Sequence, residues 1–315
     1  MGISMQTKVG VVGAGLMGHA IAQLVAFKGY SVSLYDNSRQ VLEKAPERIR
    51  ANFKSLLDEG LATSTDLEEI LSRIRLCESL EEATADSGFI IEAVSENLSL
   101  KQGLFRELER YVGPKTILSS NTSAISISLI AEPLDGKERV VGTHFWNPPH
   151  IVPCVEVIRS RFTSEEVFES AYQFMKLVGK RPVKVLRDVP GFVGNRMQHA
   201  LWREAMSLVQ QGIATPEGID EVVRFSFGLR LPYLGPLETA DLAGLDLSYE
   251  IHKGLFPYLD NSVMPLEVLT EKVESGDLGA KTGRGFHEWP QEKLDRLIGE
   301  RDRFLLRIAQ LVSER

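Results

Sequence analysis

Short apolar runs, bounded by glycine, proline or polar clusters, recur through the first 188 residues and alternate with stretches whose apolar positions fall at helical spacing. The runs at 8–12, 31–35, 74–77, 88–92, 116–119, 140–143, 154–158 and 182–186 predict strands. Residues 40–58 read as one long helix of mixed charge. Residues 61–72 read as a shorter helix, opened by the cap-like Thr65-Asp66 with Glu68 and Glu69 behind it. Strand and helix in alternation predict a mostly parallel sheet with helices on both faces. Past Asp188-Val189-Pro190-Gly191-Phe192 the pattern turns almost wholly helical. Residues 195–211 place Met197, Leu201, Leu208 and Val209 on one helical stripe that Gly212 stops, and Thr215-Pro216-Glu217 starts the next helix. The expectation is an α/β chain: a sheet domain over residues 1–188, an all-α domain over 189–315, and a site in the crevice between them.

The first strand runs straight into Gly13-Ala14-Gly15-Leu16-Met17-Gly18, and Asp36 closes the second strand eighteen residues later. Strand, glycine turn, helix, strand and acid in this order describe a Rossmann-type dinucleotide-binding unit. Gly13 permits the turn, Gly15 lets the backbone approach a pyrophosphate, and Gly18 lets the helix close on the strand. Leu16 and Met17 complete the loop, and the first N–H groups of the helix face the phosphates. Asp36 can accept the ribose hydroxyls of NAD and repels a 2′-phosphate, so NAD is the expected cofactor. Residues 9–27 carry no formal charge, but four glycines, His19 and Gln23 within them argue against a membrane span or a signal peptide.

Composition narrows the partners. The chain has 315 residues, 43% hydrophobic and 25% charged, with a net charge of −7 and no long basic run. These values suit a globular protein of two domains and disfavour nucleic acid or an anionic membrane as the partner. Cys77 and Cys154 lack metal or redox spacing, so reduced thiols, a cytoplasmic setting and no bound metal are expected.

Candidate chemistry collects around residues 120–156. His144-Phe145-Trp146-Asn147-Pro148-Pro149 follows an apolar run, and Glu156 stands twelve residues after the histidine inside Val155-Glu156-Val157-Ile158. A carboxylate among aliphatic neighbours needs a partner. Arg159 and Lys184 are available to it, and so is His144. A His–Glu pair would fix the imidazole tautomer and leave the other ring nitrogen to take a proton from a substrate hydroxyl. Ser119-Ser120-Asn121-Thr122-Ser123 ends a strand at the same sheet edge and offers hydroxyl and amide groups.

At these residues the chain resembles the L-3-hydroxyacyl-CoA dehydrogenases and their relatives, the 3-hydroxybutyryl-CoA dehydrogenases, carnitine dehydrogenase and lambda-crystallin. The resemblance covers almost the whole length. It runs through the glycine turn, Glu92-Ala93-Val94-Ser95-Glu96-Asn97-Leu98 with Lys101, Ser120-Asn121-Thr122-Ser123 and His144-Phe145-x-Asn147-Pro148. It continues with Val155-Glu156-Val157, Pro190-Gly191-Phe192-Val193-x-Asn195-Arg196 and Lys281-Thr282-Gly283-x-Gly285-Phe286. It implies that His144 is the base and Glu156 its partner, with Ser123, Asn147 and Asn195 as the polar groups around substrate and nicotinamide. Glu96, Lys101 and Lys281 match positions that contact NAD. The helical domain, through a stretch such as 235–245, is implied to form a homodimer.

Two departures bear on the substrate. Asn52 and Glu59 stand where the family carries a serine and a lysine that hold CoA, and the lysine usual after the His-Phe-Phe-Asn-Pro segment is missing from His150-Ile151-Val152-Pro153. Trp146 and the Pro148-Pro149-His150 turn resemble relatives that act on free carboxylates, for which Arg196, Arg203 or Arg230 would supply charge. The expected reaction is oxidation of a short L-3-hydroxyacyl-CoA by NAD. The same chemistry on a small non-CoA hydroxy acid or aldehyde is the alternative, and a non-catalytic crystallin-like protein the more distant one. A hydroxyacid dehydrogenase with a catalytic lysine does not fit, because the segment after Gly191 offers Asn195-Arg196 and no lysine.

Overall fold

The computed structural model describes residues 4–313, and the chain divides after Arg196 into two compact units. The first holds eight strands: β1 (Val9–Val12), β2 (Val32–Tyr35), β3 (Ile74–Leu76), β4 (Phe89–Glu92), β5 (Ile117–Ser120), β6 (Val140–Phe145), β7 (Cys154–Ile158) and β8 (Arg181–Val185). They form one sheet in the order β3-β2-β1-β4-β5-β6-β7-β8. Every neighbouring pair is parallel except β6 and β7. The mostly parallel sheet read from the strand pattern is therefore present. Strand order reverses at β1, where the switch from β2 to β4 opens the crevice in which such sheets bind ligands.

Alternation within the strands explains the two-sided core. Val9, Val11, Phe89, Ile91, Ile117 and Val141 pack into one buried cluster, while Val12, Ile90, Leu118 and Val140 pack into a second. Both faces being apolar, both need helices to cover them.

Helix boundaries differ from the sequence reading at two places. The long helix expected over 40–58 is two helices, Arg39–Glu43 and Ala45–Asp58, with Pro46 in the first turn of the second. Proline has no N–H to give the carbonyl four residues back, so the first helix cannot run on. The next helix spans Ser64–Arg73 and is capped by Thr63 rather than by Thr65. Asp66 accepts from the Thr63 N–H at 2.6 Å, and the Thr63 hydroxyl accepts from the Asp66 N–H in return.

In the second unit all named elements are helical, among them Pro216–Phe225, Pro236–Ala243, Leu245–Leu255, Glu267–Glu274 and Gln291–Ser313. Of its described residues only Ser207 and Leu306 are buried, while Phe225, Leu237, Tyr258 and Val263 are each at least 75% exposed. An all-helical unit normally hides its apolar stripes. This one leaves them outside.

Candidate active site

Three groups of residues stand at the carboxyl edge of the sheet. The first is the glycine turn. Gly13 has φ +101°, and a Cβ there would lie 2.6 Å from the Ala93 carbonyl oxygen. A Cβ on Gly18 would sit 1.7 Å from the Gly13 carbonyl oxygen, so only glycine lets the helix Gly18–Phe27 start so close to β1. Around Gly15 a Cβ would meet nothing within 4 Å, so its backbone faces open space. Asp36 accepts from the Ala14 N–H at 2.7 Å and the Ser38 N–H at 2.8 Å, which fixes its carboxylate beside the turn. Leu16 is exposed on the loop, and Met17 precedes the helix.

A polar cluster that sequence reasoning missed supports this turn. His19 Nδ1 lies 2.6 Å from the Gly15 carbonyl. A carbonyl only accepts, so Nδ1 carries the proton and Nε2 accepts from Asn52 Nδ2 at 3.1 Å. The same amide donates to Gln23 at 3.2 Å. Burial pushes the His19 pKa down, helped by the nearby Arg48 charge and opposed by the Gly15 carbonyl bond. The ring is thus a neutral strut. The only signal in the sequence was a histidine and a glutamine inside an otherwise apolar helix.

The second group lies at the ends of β4 and β5. Glu92 is fully buried and bonds Lys101 Nζ at 2.6 Å, the Ser120 hydroxyl at 2.5 Å and the Val94 N–H at 2.7 Å. Lys101 Nζ stands 3.4 Å from Glu96, so the ammonium, only 1% exposed, is held first by these two carboxylates. Glu96 in turn accepts from the Thr122 hydroxyl and from the Ser123 and Ala124 N–H groups. Burial works to raise its pKa. The Thr122 bond, the Lys101 charge and the two backbone donors outweigh burial and hold the carboxyl below its ordinary range. Glu96 and Lys101 therefore shape the loop that carries Ser123, which is exposed.

The third group is the histidine and its acid. The antiparallel register of β6 and β7 sets His144 directly opposite Glu156, and His144 Nδ1 lies 2.8 Å from Glu156 Oε2. Arg159 and Lys184, the other partners open to Glu156, pair with Glu165 and Glu169 instead. Glu156 Oε1 also accepts from the Val193 and Gly194 N–H groups at 2.9 and 3.0 Å. Burial again pushes this carboxyl up, but the His144 bond and the Gly194 and Val193 donors bring it below the usual range. An ionised carboxylate only accepts, so Nδ1 is the donor and Nε2 is left to take a proton. The imidazole is 4% exposed, with the rings of Trp146 and Phe192 at centroid distances of 5.1 and 5.9 Å.

Asn195 Nδ2 donates to the Ser123 carbonyl at 2.8 Å, joining the segment after Gly191 to the end of β5. Asn147 is exposed beside the cis Asn147-Pro148 bond. Lys281 is exposed in the second unit, in a segment closed by bridges between Gly279, Arg284 and Glu288. Of the arginines considered for a carboxylate, Arg203 contacts Asp260 and the Ser262 carbonyl, and Arg196 contacts the Pro190 carbonyl. Cys77 and Cys154 are unbridged, and burial pushes both thiols up. Among the described residues no His, Cys, Asp and Glu cluster is arranged to hold a metal, and no helix is long and apolar enough to cross a membrane.

Residues 8–189 match the NAD-binding domain of 3-hydroxyacyl-CoA dehydrogenase, and residues 191–289 match its C-terminal domain. A probable 3-hydroxybutyryl-CoA dehydrogenase of Bacillus subtilis is 38% identical over 90% of this chain and 97% of its own length. A 5-formyl-3-hydroxy-2-methylpyridine 4-carboxylate 5-dehydrogenase of Mesorhizobium japonicum is 31% identical over 99% of this chain and all of its own. The crystal structure of a dehydrogenase of that second activity, described as an NAD+-dependent dismutase, superposes with a TM-score of 0.91 at 30% identity, covering 98% of this chain and 99% of that one.

Proposed function

The chain belongs to the 3-hydroxyacyl-CoA dehydrogenase family, and we propose that it oxidises the secondary hydroxyl of a short L-3-hydroxyacyl-CoA with NAD, using His144 as general base. The observation that carries this reading is the 2.8 Å His144–Glu156 bond at the sheet edge that also bears the glycine turn.

The turn fits a dinucleotide. The open space at Gly15 is what a Cβ would begin to fill, and the N–H groups at the start of the helix Gly18–Phe27 complement a pyrophosphate. Gly13, Gly15, Leu16, Met17 and Gly18 would hold the phosphates, and Asp36, pinned by two backbone donors, would hold the adenosine ribose. Glu96 and Ser123 would border the nicotinamide, with Lys101 acting through Glu96, and Asn147 would add a further contact to the cofactor. Bound NAD supplies the hydride acceptor.

The chain's own work is proton handling and alignment. His144 Nε2 takes the hydroxyl proton as the carbinol C–H bond gives up its hydride, leaving a carbonyl. Glu156 stabilises the imidazolium through Nδ1. Ser123 and Asn195, tied together through the Ser123 carbonyl, orient the substrate oxygen toward that nitrogen. In the reverse direction His144 returns the proton. Steady-state assays with acetoacetyl-CoA, following NADH, test the proposal, and no turnover of the thioester would overturn it.

A second reading, with a compact free carboxylate in place of the thioester, is favoured by one observation. The pyridine-carboxylate dehydrogenase aligns along 99% of this chain, where the B. subtilis relative aligns along 90%. Asn52, spent on His19 and Gln23, is consistent with it. Free 3-oxo acids assayed beside acetoacetyl-CoA separate the two.

Asp36→Ala is expected to relax the preference for NAD over NADP by about 10–100-fold, the value of one or two hydrogen bonds to a charged group. Cofactor kinetics giving an unaltered ratio would remove Asp36 from the ribose site. The many exposed apolar side chains of the second unit support a homodimer, since a monomer seldom leaves large apolar surface uncovered. Light scattering should return twice the 35.1 kDa chain mass, and a monomer at micromolar concentration would refute the assembly. A cytoplasmic location and a place in fatty-acid metabolism follow from the same reading, supported by the two unbridged cysteines and the acyl substrate.

A further inference from the structure

Beside His144 the chain carries a tryptophan and a glycine that occupy one another's space. Trp146 lies two residues beyond the histidine, half-buried, with its ring tilted 56° to the imidazole at a centroid distance of 5.1 Å. Gly194 opens the helix Gly194–Gln210. A Cβ built on Gly194 would lie 2.2 Å from Trp146 Cζ2 and 3.0 Å from Cη2. The backbone of Gly194 is not in the left-handed region, so conformation does not demand a glycine here. Space does: the indole rests on the first turn of the helix, where any side chain at 194 would stand.

The imidazole leaves few ways in. Its Nδ1 is taken by Glu156, and the rings of Trp146 and of the buried Phe192 both pack against it at centroid distances of 5.1 and 5.9 Å. Nε2 is the ring nitrogen left for a substrate, and the half-buried indole lies against the same imidazole. Gly194 also donates its N–H to Glu156 at 3.0 Å, so the turn that seats the indole is the turn that steadies the acid.

We propose that Trp146 and Gly194 act as a matched pair that sets substrate size, the indole walling the site beside the base so that it admits a compact, short acyl group and excludes a long one. This rests on the dehydrogenase reading above and adds to it the specificity determinant. Trp146 is a specificity residue and Gly194 a positioning residue, because the glycine acts only through the space it leaves and the N–H it gives.

The test is a mutant cycle of Trp146→Phe, Gly194→Ala and the double variant. It is read with acetoacetyl-CoA and 3-oxodecanoyl-CoA, with melting temperature and NADH binding measured alongside. Trp146→Phe, lacking the outer indole atoms, should shift the ratio of kcat/KM toward the long thioester by about tenfold or more, the scale on which a few methylene groups are sorted in an apolar pocket. Gly194→Ala alone should lower both the melting temperature and turnover of either thioester, and Trp146→Phe should restore a large part of each loss. NADH binding should stay within about twofold of wild type throughout, on the scale of substitutions remote from the cofactor site. An unchanged size ratio in Trp146→Phe overturns the specificity role, and a Gly194→Ala loss that Trp146→Phe fails to relieve overturns the pairing. Should wild-type protein turn over neither thioester, the CoA reading falls by itself. The pairing is still decided by the melting temperatures, and the size ratio by acetoacetate against 3-oxodecanoate.

Discussion

Replacing His144 by glutamine is expected to lower kcat by about 10²–10⁴-fold, the usual contribution of a positioned general base, and to leave NAD binding intact. The separation of the two effects follows from where the residues sit. His144 stands on β6 opposite Glu156 on β7, whereas the turn and Asp36 belong to β1, β2 and the helix between them. Glutamine is polar and close to histidine in volume beside Trp146 and Phe192, so the loss reports proton transfer rather than collapse of the site. A base that works only in the chemical step lowers kcat and kcat/KM together. Glu156→Gln should also lower kcat, because an amide that keeps its oxygen on the Val193 and Gly194 N–H groups turns an N–H toward His144 Nδ1 and reverses the imidazole tautomer. Turnover of His144→Gln at the wild-type rate, with NAD bound normally by fluorescence titration, removes the imidazole from the mechanism.

The parts of this site that could be read along the chain are those in which local geometry and chemistry coincide. Gly13, Gly18 and Asp36 announce themselves because a positive φ, a helix start that would put a Cβ 1.7 Å from the Gly13 carbonyl oxygen, and an acid at a strand end are each tied to a short segment. His144 and Glu156 were legible for a related reason. Two adjacent strands joined by a short connection put residues twelve apart opposite each other. Contacts that depend on the register of distant strands were not legible. Glu92 needs β4 beside β5 to meet Ser120, and nothing near either residue says so. Asn52 reads as a substitution in a substrate-binding helix, yet folding turns its amide inward to His19 and Gln23. Gly194 looks like an ordinary linker glycine until the indole is seen above it.

Lys101→Met is expected to cost about 3–5 kcal/mol, the penalty for leaving one member of a buried ion pair uncompensated. For a chain of this size that corresponds to a fall in melting temperature on the order of 10 °C. The lysine is 1% exposed and its partner Glu92 is fully buried, so water cannot take the missing place. Burial already pushes the Glu92 carboxyl up; the Lys101 charge and its bond, the Ser120 hydroxyl and the Val94 N–H pull against it without cancelling it. Removing the ammonium raises Glu92 further, and a group raised on folding favours the native state below its unfolded pKa and loses that contribution as pH climbs through the folded one. The deficit of Lys101→Met should therefore widen from mildly acidic to neutral pH. Adding Glu92→Gln to the same protein should recover more than half of it, since glutamine can still accept from Val94 and donate to Ser120 without a charge. The free energies come from urea titrations at two pH values. A deficit that is flat with pH, or a double variant no more stable than Lys101→Met alone, would mean that the lysine supports the sheet edge by packing and not by charge.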